Sequence, residues 1–127
     1  MHSFDHHRQP EPPVSLAANA ASAALHTSDV PWLGPIGCVR VALIDGVFVA
    51  EPTRAQLEHS TLDLLYAGTA ERTLMIEVAA LQLPNVVIKD ALRFAQDQLS
   101  PIIGAQRRLR DDAARGPRPK RPAASFE

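Results

Sequence analysis

Cysteine occurs once in these 127 residues, at Cys38, so no intrachain disulfide can form and a disulfide-stapled secreted scaffold is excluded. Aromatic residues are only 5%, which leaves Ala, Val, Leu and Ile to build any core. No apolar run approaches the roughly 18–20 residues that a membrane span needs. The opening MHSFDHHRQPEPP has no hydrophobic signal segment and lacks the Arg-rich, acid-poor character of a transit peptide. It predicts a soluble chain with no targeting address of its own. There is no Walker loop, no dinucleotide fingerprint and no paired-cysteine zinc spacing. What remains is ordinary globular composition, 46% apolar and 21% charged, in a chain the length of one small domain. A domain near this size hides roughly two-thirds of its unfolded surface, enough for a core.

A net charge of −1 conceals an uneven distribution. Residues 1–104 carry 6 Lys and Arg against 11 Asp and Glu, a balance of −5; from Ala105 onward the count is 7 against 3, a balance of +4. Such a basic tail could touch an acidic partner or nucleic acid. The favoured expectation is a solvated, disordered end, because Gly116-Pro-Arg-Pro-Lys-Arg-Pro has too little apolar surface to fold and too much proline for a helix.

The periodicity divides the rest. Residues 1–14 read as an irregular leader, with Pro10, Pro12 and Pro13 blocking regular structure. Ser15 is placed as the N-cap of an Ala-rich helix over Leu16–His26, ended by Pro31. The period then becomes two: Val39, Val41 and Leu43 point one way, and Cys38, Arg40, Ala42 and Ile44 the other. Asp45-Gly46 predicts a type I′ turn into a return strand, Val47–Ala50. Thr53-x-x-Gln56 predicts a capping box on a short helix to Glu58. A second strand pair follows, Thr61–Ala67 and Thr73–Val78, the latter with one face buried and the other wetter. A last helix runs from Asn85 to Leu99 on a stripe of Val87, Ala91, Phe94, Ala95 and Leu99, with Pro101 ending or kinking it and Ile102 and Ile103 placed to continue the packing. Strands grouped together with helices around them predict an α+β fold: an antiparallel four-stranded sheet with helices packed on one face.

Few side chains read as chemistry. His2, His6 and His7 sit together on the proline-rich leader, where a solvated polar tail is expected rather than a metal site. His26 and His59 fall near a helix end and before a strand, where a polar cap or surface role is the default. Cys38 has no adjacent base and reads as a small core filler. Asp63 stands out inside the apolar run Leu62-Asp-Leu-Leu-Tyr66, where an unpaired carboxylate is costly to bury. It could hold a metal or act as a general acid; the preferred reading is a solvent-facing or Arg-paired residue, with Arg40 as its partner.

The ordered series Asn19-Ala-Ala-Ser-Ala-Ala-Leu25, Ser28-Asp-Val-Pro-Trp-Leu-Gly-Pro-Ile-Gly37, Val39-Arg-Val41, Leu43-Ile-Asp-Gly46, Pro52-Thr53, Ser60-Thr-Leu-Asp-Leu64, Tyr66-Ala-Gly-Thr69 and Met75-Ile-Glu77 closely resembles the polynucleotide phosphorylase family. With Ser3-Phe4-Asp5 the resemblance covers Ser3 to Leu109 and corresponds to the second half of the first of two RNase PH-like cores. It implies a partial RNase PH-like domain over residues 15–109, between the leader (1–14) and a basic Pro/Arg-rich tail (110–127). It also implies a fragment, a truncated gene model or a decayed copy, since a full core is about twice as long; such a piece should expose a sheet edge and apolar surface.

For the parent enzyme the resemblance implies 3′-to-5′ phosphorolysis of RNA using phosphate and Mg2+, within a homotrimeric ring. In that family catalysis belongs to the second core, where the strand matching Thr61–Ala67 carries an aspartate followed two residues later by lysine. Here Asp63 fits the first position and Leu65 fills the second, so Asp63 is expected to be a remnant. No catalytic or metal-binding residue and no cofactor is assigned to this chain, no RNA-binding residue is identified, and its own role is expected to be architectural. The alternative is a stand-alone RNA-binding or interaction module using the basic tail. The Val30–Gly37 segment resembles organellar members, implying a mitochondrial or plastid parent, with a bacterial cytosolic one as the other option.

Overall fold

A computed structural model describes residues 13–114. The predicted leader, apart from its last two residues, and the tail beyond Ala114 lie outside them. The chain runs α1 (Val14–Thr27), β1 (Gly37–Ile44), β2 (Val47–Ala50), α2 (Arg54–Glu58), β3 (Leu62–Gly68), β4 (Thr73–Ala80) and α3 (Asn85–Ala114). The four strands form one antiparallel sheet in the order β2-β1-β3-β4, so the architecture is α+β. Asp45 (φ 50°) and Gly46 (φ 76°) make the left-handed turn that the Asp-Gly pair demands. The Thr53 hydroxyl accepts from the Gln56 amide while the Gln56 side chain accepts from the Thr53 amide, completing the capping box.

Register places Val39 beside Tyr66 and Val41 beside Leu64 on one face. That face, with Leu62, meets a stripe of α3 made by Ala91, Ala95, Leu99 and Ile103, each four residues apart, and all are buried. The alanines let the helix backbone approach the sheet closely. At its far end Gly37 is required by contact: a Cβ there would stand 2.8 Å from Leu99 Cδ2. Phe94 flanks the stripe and packs on Phe48 with ring centroids 5.6 Å apart. Full burial of each large aliphatic is worth about 1.5–3 kcal/mol, which makes this stripe the main attachment of helix to sheet.

Three local expectations are corrected. Ser15 is not the N-cap of α1; Pro13 occupies that position, and Ser15 is buried one residue into the helix, donating to Glu51 Oε2 at 2.5 Å. A buried hydroxyl with a partner across the molecule outweighs a local cap. Pro101 does not end α3, which continues to Ala114 and takes in the first five residues assigned to the tail. The amide that Pro101 lacks costs one helical hydrogen bond. Burial of Ile103 and Gln106 beyond it offsets that cost, because α3 there packs on α1. Finally, β4 is not half-buried: every residue from Thr73 to Ala80 is exposed, Leu74, Ile76 and Val78 included. It is an outer strand of the sheet, and among the described residues nothing lies beyond it.

Between α1 and α3 the contact is polar and closed. Ser22 Oγ donates to Gln106 Oε1 at 2.5 Å and accepts from the Ile36 amide at 2.9 Å; Gln106 Nε2 donates to the Ile36 carbonyl at 2.9 Å. Asn19 receives the Cys38 amide on Oδ1 at 2.7 Å and donates to the Cys38 carbonyl at 2.9 Å. It serves β1 where β2 has ended, so α1 takes the lateral place that a further strand residue would fill.

Candidate functional site

Arg40 lies on β1 and Asp63 on β3, on the face turned away from α3. Arg40 pairs with Leu65 and Ala42 with Asp63, so Arg40 and Asp63 are diagonal neighbours, within reach of a long side chain. The guanidinium meets the carboxylate as a fork: Nε donates to Oδ1 at 2.8 Å and Nη2 to Oδ2 at 2.6 Å. Both side chains are partly open to solvent, at 35% and 39% exposure, so the pair is screened rather than entombed. The hydrogen bond to Asp63 raises the Arg40 pKa above its ordinary value, and the Glu51 charge adds in the same direction. Glu51 also accepts from the Arg40 amide at 3.1 Å, tying this corner of the sheet to Ser15 of α1.

Asp63 is thus the Arg-paired strand residue, with Arg40 as its partner. Both its oxygens face one cation. Leu65, two residues on, is half-buried and contributes no charge, and Glu77 is its exposed register partner on β4. A magnesium ion does not fit this donor set. It would need further oxygen ligands and would meet the guanidinium's positive charge. Among the described residues no three His, Cys, Asp or Glu side chains are placed to hold a metal.

The remaining candidates scatter. Cys38 is buried at the start of β1, and burial, seconded by the Glu51 charge, pushes its thiol pKa up. That is the opposite of what a nucleophile needs. His59 is exposed at the C-terminal cap of α2. His26 departs from its expected surface role: it is buried at the end of α1 and tilts against Trp32 with ring centroids 6.2 Å apart. The loop folds back on the helix, which local spacing did not reveal. His2, His6 and His7 lie outside the described residues.

A cleft of about 480 Å³ opens between the β3–β4 turn and the Pro101 stretch of α3. Arg72, Thr69 and Thr73 line it from the turn, Ser100 and Arg107 from the helix, and Tyr66 from the sheet. The Tyr66 hydroxyl lies 2.6 Å from Thr73 Oγ1. Sequence reasoning missed this cleft because α3 was expected to stop at Leu99, before Ser100 and Arg107. The helical spacing of Leu99, Ile103 and Gln106 signals the helix beyond Pro101 but not the cleft, whose other wall is the β3–β4 turn.

A family model described as the 3′ exoribonuclease family, domain 2, matches residues 34–98. Among curated proteins, the polyribonucleotide nucleotidyltransferase of Rhodospirillum rubrum is 46% identical over 112 residues, covering 88% of this chain and 16% of that protein. The enzyme of the same name from Thermus thermophilus is 45% identical over 107 residues, 84% of this chain and 15% of its own. That of Aquifex aeolicus is 44% identical over 99 residues, 78% and 13%. The chain therefore spans about 15% of the length of these relatives.

Proposed function

Given that this chain belongs to the 3′ exoribonuclease family and carries its domain 2, we propose that it corresponds to an architectural, non-catalytic segment of a polyribonucleotide nucleotidyltransferase. Its part in phosphorolytic 3′-to-5′ RNA degradation is then to support a catalytic centre formed elsewhere. The observation that carries this reading is the Arg40–Asp63 fork. The carboxylate at the position expected of a catalytic aspartate is held by one guanidinium, and Leu65 stands where a lysine would be needed. Phosphoryl transfer depends on positive groups aimed at the developing charge, and a leucine supplies none. Asp63 is on this reading a remnant whose present task is to join β1 to β3.

The exposed β4 supports the same conclusion, since an outer strand with Leu74, Ile76 and Val78 uncovered suits a segment built against more protein. The reading includes RNA as substrate of the whole enzyme, assembly into a three-membered ring, and, from the bacterial relatives, a bacterial cytoplasm. No described helix is long and apolar enough to cross a membrane. The test is direct. The purified chain, given poly(A), phosphate and Mg2+, is expected to release no nucleoside diphosphate. Release that Asp63→Asn abolishes would overturn the architectural assignment.

A further inference from the structure

The cleft beside Pro101 is separate from the Arg40–Asp63 fork, lying on the opposite face of the sheet, and the proposed architectural role makes no use of it. Its floor is apolar, formed by Leu99 and Ile103, both buried. Its rim is polar and carries two arginines, Arg72 and Arg107, against one carboxylate, Glu71. The salt bridge found among the described residues is Arg40–Asp63, so neither rim arginine is engaged with a carboxylate. Thr69, Thr73 and Ser100 line the same cleft; the Thr73 hydroxyl is shared with Tyr66, and that of Thr69 accepts from the Glu71 and Arg72 amides.

We propose that this cleft binds a small phosphorylated molecule of nucleotide size, its phosphate held by Arg72 and Arg107 at the rim. A guanidinium presents paired N–H donors that match phosphate oxygens, and hydroxyls complete such a site. The volume of about 480 Å³ lies in the range of small-ligand pockets. The rim is locally positive, two arginines against one carboxylate, which favours an anion there.

The test is calorimetric titration of the full chain with ADP, adenosine and a 20-mer of oligoadenylate. Saturable binding of ADP and none of adenosine is expected. Arg107→Ala, at an exposed helix position that leaves the fold intact, should weaken ADP by on the order of tenfold to a hundredfold, and Arg72→Ala similarly. Glu71→Gln should tighten binding several-fold. Arg93→Ala, also exposed on α3 but outside the cleft, should leave it unchanged. Failure of ADP to bind, or equal losses in Arg93→Ala and Arg107→Ala, overturns the assignment. So does oligoadenylate binding that ADP cannot displace, which would make the surface a polyanion site.

Discussion

Replacing Gln106 by leucine tests whether α3 holds its place after Pro101. The substitution keeps the volume and removes both polar functions of a residue that is 5% exposed. Two hydrogen bonds disappear: the one accepted from Ser22 and the one given to the Ile36 carbonyl. Ser22 still accepts from the Ile36 amide, so its oxygen remains served while its proton loses its acceptor. Ile36 is half-buried, and water reaches its carbonyl in part. One stranded buried donor and one weakened acceptor amount to about 2 kcal/mol. Against a total of roughly 5–15 kcal/mol for a domain, that is a large fraction. With a urea slope of about 1–1.5 kcal/mol/M, the midpoint should fall by about 1.5 M, followed by circular dichroism. The double substitution Ser22→Ala/Gln106→Leu should cost about 1 kcal/mol less than the two singles added together. A loss under about 0.5 kcal/mol for Gln106→Leu would refute the docking of these last turns on α1.

Other outcomes follow from the same contacts. Asp63→Asn should lower stability by no more than about 1 kcal/mol in urea, because the fork with Arg40 is more than a third open to solvent and screened; a loss of several kcal/mol would mean the pair is effectively buried. Because the folded pKa of Cys38 is raised, its contribution is fully present below the unfolded thiol's value and is lost as pH climbs. Stability should therefore decline above about pH 9, a slope that Cys38→Ala removes, and a thiol reagent should label the native chain only as fast as it unfolds. Truncation after Ala114 should leave the unfolding midpoint unchanged, whereas truncation after Gly104, which deletes Gln106, should lower it by more than Gln106→Leu does. If RNA binds through the basic tail, the first truncation, which removes Arg115, Arg118, Lys120 and Arg121, should weaken a steeply salt-dependent affinity; binding unaffected by it sinks that reading.

Elements whose signal is local were legible in the sequence. The Asp45-Gly46 turn and the Thr53/Gln56 box need only their own neighbours, and both stand where their residues predict. The buried stripe of α3 followed from helical spacing as far as Leu99. What escaped depended on distant partners. Ser15 has the chemistry of a cap and is used instead against Glu51, 36 positions away. Pro101 carries a breaker's local signal, yet Gln106 has a partner 84 positions back that holds the helix beyond it. Apolar alternation in β4 normally marks a covered face, and which face is covered depends on what else is present to pack on it. Of the candidate sites, the pairing of Asp63 with Arg40 could be read from two isolated charges in adjacent apolar runs. The cleft could not, because it exists only once the helix has passed its proline.

The position of β4 at the rim of the sheet should be visible in its exchange kinetics. Along an outer strand, alternate amides point inward to the neighbouring strand and outward to water, so protection should rise and fall with a period of two from Leu74 to Val78. Covering that rim with another polypeptide would flatten the alternation, because outward amides would gain acceptors. Deuterium uptake resolved by residue therefore measures whether this edge is occupied in any assembly the chain joins, and it does so without knowing in advance what the occupant is.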